Sequence, residues 1–281
     1  MRIVDWPKEI FKIPFLERLL VQVTHGKSPR HLASRLAPLY SAYPPWSYRS
    51  VTRNDIKYIL DISDYIEWLV YFGITWEPKK NLYSLIREGN TVIDVGANIG
   101  EVTFNLAKLV GASGSVHSFE PHPFIFSKLL QNFQLNEFRN IQLNNVGLGS
   151  RVEQLYIGPQ VANNRGGTRI NHSAEGSLVN ITSLDNYVSR MHVQKINLIK
   201  LDVEGFELKV LRGAENTLRD KKPILFIEIN DSNLRAQGDS AYELFAFLNE
   251  VGYNNLVEAT SNAPIAINSK FDNCHLDIIA R

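Results

Sequence analysis

The stretch Thr91–Gly111, TVIDVGANIGEVTFNLAKLVG, changes character twice. TVIDV is a short apolar run rich in β-branched residues, as a strand covered on both faces requires. Gly96 and Gly100 then remove side chains where the backbone must turn tightly and where a ligand can approach it. From Glu101 the apolar residues recur at helical spacing. Strand, glycine turn and helix in this order open a parallel α/β unit.

The rhythm continues outward. SVHSFEP reads as a strand, HPFIFSKLLQNFQLN as a helix and IQLNNVGLG as a third strand. INLIKLD, FELKVLRGAENTLRD, PILFIEI and AYELFAFLNEVGY carry it on. NLVEA and HLDIIAR end the chain as short strands that include an antiparallel edge. The expected fold class is therefore α/β, a mostly parallel sheet with helices on both faces. Between the third and fourth alternations, residues 157–188 read as one long polar, glycine-bearing loop. Before Thr91, residues 7–45 read as short helices broken by Pro14, Pro29, Pro38 and Pro44-Pro45. Residues 47–63 read as a small hairpin around Asn54-Asp55, followed by helices in DYIEWLVYFG and NLYSLIREG. The expected division is a helical extension with a short hairpin over 1–90 and a main domain over 91–281.

Bulk composition narrows the function classes. With 281 residues, 44% apolar and 21% charged, the chain can bury one large α/β core with an appendage. No apolar run approaches the roughly 20 residues that span a bilayer. The start, MRIVDWPKEIF, lacks the pattern of a secretory signal, and the expected location is cytoplasmic. A single cysteine, Cys274, rules out an intrachain disulfide and a cysteine-based zinc cluster. The net charge of +1 hides an asymmetry. Residues 1–50 hold eight Lys/Arg against three Asp/Glu, about +5, which leaves about −4 for the rest. The acidic main domain and the absence of a dense Lys/Arg cluster argue against nucleic acid as a partner. The basic, aromatic head reads either as a cap packed on the main domain or as a surface for peripheral membrane contact.

The glycine turn lacks GxGxxG, and no GKS or GKT follows, so neither the dinucleotide fingerprint nor a P-loop fits. Glu120, in SFEP at the end of the second strand, is placed to accept both hydroxyls of a ribose. Asp94 ends the first strand, where it could meet an ammonium group or order the turn. A ribose acid beside a glycine turn, without a pyrophosphate loop, suits S-adenosyl-L-methionine better than NAD. That cofactor has a ribose and an amino-acid tail but no phosphate.

VIDVGANIGEVT, SFEPHP, NVGLG, SLDNYV, IKLDVEGFELKVLRGA and PILFIEI occur in the order and spacing of FkbM-type methyltransferases, which the chain resembles over about residues 50–281. VTRNDIKYILDISDYIEWLVYFGITWEP also resembles the segment that precedes their catalytic domain. The resemblance implies the class I methyltransferase (Rossmann-like) fold with seven strands, S-adenosyl-L-methionine as cofactor, and O-methylation of a hydroxyl on a small molecule or sugar. By position, Gly96, Asn98 and Gly100 would line the methionine and ribose portion of the cofactor. Asp94 would orient that loop, Glu120 would hold the ribose, and Asn145 and Val146 would meet the adenine. Glu77, just before the first strand, would be a cofactor-side acid.

A hydroxyl acceptor must lose its proton, which calls for a general base or a metal. Asp202 ends the fourth strand, beside the first in this fold, and is the candidate for the reactive face. Glu204 is open to two readings, an active-site role or stabilisation of the next helix start. Glu207 reads as structural, facing solvent or paired with an upstream basic group. Glu228, an acid inside a strand end, implies a nearby partner. His172, in the long loop, is a candidate base because its pKa lies near neutrality. No metal site is assigned. Methylation at nitrogen or carboxylate, or cofactor binding without transfer, remain alternative functions.

Overall fold

The computed structural model describes residues 6–75, 77–158, 164–171, 175–266 and 271–281. Three short helices, α1 (Trp6–Glu9), α2 (Pro14–Val23) and α3 (Leu32–Leu36), open the chain. Pro14 occupies the first turn of α2, where its missing N–H leaves no bond unmade. Strands β1 (Tyr48–Arg53) and β2 (Ile56–Asp61) form the expected hairpin, with Asn54 and Asp55 both left-handed at its turn. Asp64 caps α4 (Tyr65–Phe72) by accepting the Ile66 and Glu67 amides, and Gly73 closes it at φ 63°. Helix α5 (Glu77–Ser84) leads into the main domain.

That domain alternates as its periodicity predicts. Its elements are β3 (Thr91–Val95), α6 (Glu101–Val110), β4 (Ser115–Phe119), α7 (Pro123–Gln134) and β5 (Ile141–Asn144). The segment expected to be a long loop instead contributes two of the four strands of a second sheet. Its strands are β6 (Gly147–Leu148), β7 (Glu153–Ile157), β8 (Ile170–Asn171) and β9 (Ser177–Thr182), in the order β6-β9-β7-β8. The cause is visible in β9, where Val179 and Ile181 are buried and Leu178 and Asn180 exposed. One outward leucine among polar residues masks the two-residue period in the sequence.

The chain continues with α8 (Leu184–Arg190), β10 (Leu198–Leu201), α9 (Glu207–Arg212), α10 (Glu215–Lys221) and β11 (Ile224–Asn230). It ends with α11 (Asp231–Ala236), α12 (Ala241–Glu250), β12 (Leu256–Glu258) and β13 (His275–Ala280). The main sheet has seven strands in the order β12-β13-β11-β10-β3-β4-β5. Strand β13 runs antiparallel to both neighbours, and β10, β11, β3, β4 and β5 pair in parallel.

The N-terminal extension shares a core with the main domain. Ile56, Tyr58 and Phe72 pack in one buried cluster with Ala97, Ile99, Phe104 and Leu129. Asn132 on α7 and Asn136 just beyond its end cover the hairpin edge, Asn132 accepting the Ile59 amide and Asn136 the Lys57 amide, both at 2.9 Å. An edge satisfied in this way is closed to further strand pairing.

Candidate active site

Strand order locates the site. From β3 the chain winds outward through β4 to β5, then returns to place β10 on the other side of β3. In sheets of this kind ligands bind in the crevice outside the strand ends at that reversal.

Gly96 leaves β3 at φ 84°. A Cβ there would lie 1.9 Å from the Asp202 carbonyl oxygen, far inside contact distance, so only glycine lets β3 end beside β10. The Gly96 and Ala97 amides both donate to Phe119 O at 3.0 Å, which ties the turn to β4. Asn98 follows, and its amide donates to Glu120 Oε2 at 3.0 Å, while the His122 amide donates to Glu120 Oε1 at 2.9 Å. Glu120 is thus held by two backbone donors with only 6% of its surface exposed. Burial raises its pKa to about 7, opposed by the two amide bonds.

Beneath the turn lies a residue the sequence reading did not single out. Lys200 sits opposite Asp94 in the parallel register of β10 and β3. Its Nζ donates to Gly96 O at 2.9 Å and lies 3.3 Å from Asp94 Oδ1 and 3.5 Å from Asp202 Oδ2. Asp94 is fully buried and accepts from Thr103 Oγ1 at 2.6 Å. Burial acts to lower the Lys200 pKa, but the Asp94 and Asp202 carboxylates outweigh it and raise the value. The ammonium thereby ties the glycine turn to the end of β10.

After β10, Glu204 and Gly205 take left-handed conformations at φ 56° and 102°. Glu204 Oε2 accepts from Asn233 Nδ2 at 2.8 Å and lies 3.6 Å from Arg169 Nε. Burial, then the Asp202 carboxylate, raises the Glu204 pKa to about 7. Glu207 is structural, but its surroundings differ from the expected solvent or basic partner. It is buried, and Oε1 accepts the Val203 and Gly205 amides at 3.1 Å each. The left-handed turn leaves those amides without helical partners, and the carboxyl supplies one.

Antiparallel β13 brings a second missed residue to the site. His275 Nε2 lies 2.9 Å from Glu228 Oε1, which identifies the partner implied for that acid. Asp202, then burial, raises the Glu228 pKa. Burial, then Glu228, raises that of Asp277 to about 7.

These groups line three adjoining clefts. The first is walled by Gly96, Asn98, Glu120, Asp202, Glu204 and Phe206, with an apolar lining that includes Leu148 and Ile181. The second lies on the other side of Asp202 and is walled by Lys200, Glu228, His275 and Asp277. The third joins Arg169, Glu204, Glu228, Asn233 and His275.

Other expected residues lie elsewhere. Gly100 packs against Phe104 and Leu129 at the start of α6, away from the walls of the first cleft. Asn145 Nδ2 donates to the Glu120 and Pro121 carbonyls at 2.9 and 3.1 Å, and Val146 packs against the main core. At that level the cleft wall is formed by Gly147 and Leu148, because the chain has already turned towards the second sheet. Glu77 begins α5, but its side chain lies outside the described residues, as does His172 altogether.

A mostly parallel seven-stranded sheet covered by helices, whose one reversed strand is inserted next to the last position, with a glycine turn at its reversal point, defines a class I methyltransferase fold. Residues 94–254 match the methyltransferase FkbM domain, and the chain belongs to the FkbM methyltransferase family, with S-adenosyl-L-methionine as cofactor. It is 34% identical over 133 residues to the hexuronic acid methyltransferase AglP of Haloferax volcanii, covering 47% of this chain and 53% of that one. It is 26% identical over 162 residues to Methyltransferase 1 of Beauveria bassiana, covering 50% and 65%. The matches thus span between half and two thirds of these relatives' lengths. The crystal structure of an FkbM methyltransferase from Methylobacillus flagellatus KT aligns with 99% of this chain and 61% of its own, at 15% identity and a TM-score of 0.46. The residues present fit the cofactor. Glu120 is buried yet borders the cleft, where a ribose needs an acceptor, and no side chain at Gly96 blocks approach to the backbone.

Proposed function

We propose that the chain transfers a methyl group from S-adenosyl-L-methionine to a hydroxyl of a small molecule, with a sugar as the preferred acceptor. The observation that carries this reading is the position of Asp202, whose residue borders both the Glu120 cleft and the cleft holding His275 and Glu228. Donor and acceptor must meet in line across a shared wall, with water excluded. Similarity to a hexuronic acid methyltransferase supports a sugar acceptor. Arg169, on the wall of the third cleft, is suited to pair with an acceptor carboxylate.

In this reading Glu120 accepts the ribose hydroxyls, and Gly96, Asn98 and Gly100 shape the loop beside the amino-acid tail. Asp94 acts through Lys200 to hold that loop. Bound there, the cofactor supplies an electrophilic methyl carbon. The remaining work falls to the chain's own groups. His275, engaged by Glu228 through Nε2, offers Nδ1 to take the hydroxyl proton. Asp202 and Glu204 border the clefts where the hydroxyl would sit and orient it. His172 is given no role. A second reading, methylation of an amine, draws on the cluster of Asp202, Glu204, Glu228 and Asp277, which could hold an ammonium group.

The test is transfer from labelled cofactor to hexuronic acids, neutral hexoses and amines. Hydroxyl methylation is expected, with Asp202→Asn retaining S-adenosylhomocysteine binding while kcat falls about 100-fold or more. Methylation of amines alone would establish the second reading, and full turnover by Asp202→Asn would remove that residue from the mechanism.

A further inference from the structure

The described residues include sixteen large apolar side chains with exposed surfaces, and ten of them lie between Ile10 and Tyr48. On α2, Phe15, Leu19 and Val23 are 74%, 49% and 47% exposed and recur at i, i+4, so they form one outward stripe. The opposite face of α2 is locked inward. Glu17 is 3% exposed and is bonded to Arg49 Nε, Tyr43 Oη and Tyr71 Oη, while Leu20 and Val21 are buried. Thr24, the C-cap residue of α2, donates to the carbonyls of Leu20 and Phe72. The helix therefore cannot roll to hide its apolar stripe. Next to it, Leu32, Leu36 and Leu39 on and after α3 are 75%, 46% and 50% exposed.

The charge of this segment selects among partners. Between residues 13 and 39 the only acid is Glu17, which is turned inward. Arg18, Lys27, Arg30 and Arg35 are exposed, and none has an ion-pair partner among the described residues. A two-fold interface with a second copy would set the same patch against itself, cation facing cation. An anionic lipid surface would instead take the apolar stripe into its interface and neutralise the rim. No helix among the described residues is long and apolar enough to cross a membrane, so the contact would lie along the surface.

We propose that the outward faces of α2 and α3 form a peripheral docking surface for anionic phospholipid bilayers. The geometry is that of an interfacial helix pair, apolar residues flanked by unpaired cations, with α2 fixed to the hairpin and to α4 through the buried Glu17 network.

Co-sedimentation of the full chain with phosphatidylcholine vesicles, with and without phosphatidylglycerol, tests this. Binding to the anionic vesicles is expected to exceed binding to the neutral ones by about tenfold or more and to weaken as salt rises. Leu19→Asp combined with Leu36→Asp should abolish it, and Arg18→Glu combined with Arg35→Glu should reduce it, with thermal melting showing that both variants fold. No sedimentation of the wild-type chain with anionic vesicles would overturn the proposal. So would unchanged binding by the Leu19→Asp, Leu36→Asp variant. A dimer in sedimentation velocity that this variant dissociates, without vesicle binding by either protein, would assign the patch to a second copy instead.

Discussion

Arg165 Nη2 donates to Asp61 Oδ2 at 2.7 Å, joining residues 104 positions apart. The Arg165 amide also donates to Asp64 Oδ2 at 2.7 Å, and its guanidinium lies 5.1 Å from the centre of the Trp46 ring. Lys128 pairs with Glu67 in the same cluster. Thr168 and Arg169, which line the clefts, follow within one turn of chain. The hairpin and α4 therefore brace the segment that carries Thr168 and Arg169, through contacts of Asp61, Asp64 and Glu67 that no local pattern identified.

Removing Arg165 leaves three buried carboxylates with Lys128 as their main counter-charge. Arg165→Ala should cost about 3–5 kcal/mol in urea unfolding, as breaking a buried pair does. Arg165→Lys should restore little, because one ammonium cannot reproduce the guanidinium fork. Loss of less than ~1 kcal/mol would show that the clamp is not a stabilising element.

Glu120 should make cofactor affinity depend on pH. In the proposed role of Glu120 the ribose hydroxyls would donate to the ionised carboxyl, whose pKa without ligand is pushed up to about 7. Binding of S-adenosylhomocysteine should therefore strengthen as pH rises through 6 to 7 and level off above, by up to about tenfold per unit below the pKa. Glu120→Gln should weaken binding about 10- to 100-fold and flatten the profile. Calorimetry across pH reads both effects, and an unchanged profile in the variant would assign the titration to another group.

Lys200→Met strands Asp94 in the interior and frees the Gly96 carbonyl. About 3–5 kcal/mol of stability should be lost, with weaker S-adenosylhomocysteine binding. Adding Asp94→Asn removes the orphaned charge, so the double variant should recover much of the loss. Strict additivity of the two substitutions in unfolding experiments would mean that the pair is not coupled.

Glu207 supplies a pH-dependent term in stability. Burial raises its folded-state pKa from 4.5 to about 7. Its contribution is therefore fully present below about pH 4.5, declines as pH rises towards 7 and is absent above, a change of up to about 3 kcal/mol. Glu207→Gln keeps an acceptor for the Val203 and Gly205 amides and cannot ionise. Thermal melts of the variant should fall less between pH 5 and 8 than those of the wild type. Parallel curves would place the titration elsewhere.

Much of the site was legible because its signals are local. The run TVIDV, the turn at Gly96 and the helical period after Glu101 follow from steric and burial rules acting over a few residues, and Asp94, Glu120 and Asp202 are legible as strand-end acids. Lys200 left a fainter trace, a lone cation within the buried strand LIKL, whose meaning depends on which strand lies beside it. The side chains of Asn145 and Val146 turn to the Glu120 loop and the main core, a direction set by tertiary packing rather than by any local pattern.

By itself the sequence determined the α/β alternation, the hairpin before it, the glycine turn and the acid that follows the second strand of the main domain, all products of periodicity and turn chemistry. The tertiary structure decided the pairing of Lys200 with Asp94, of His275 with Glu228 and of Arg165 with Asp61. Each depends on strand order or on a long-range packing contact. Residues tens of positions apart meet only after loop-closure entropy has been offset by burial of the shared core. No local window of sequence records which distant segments will do so.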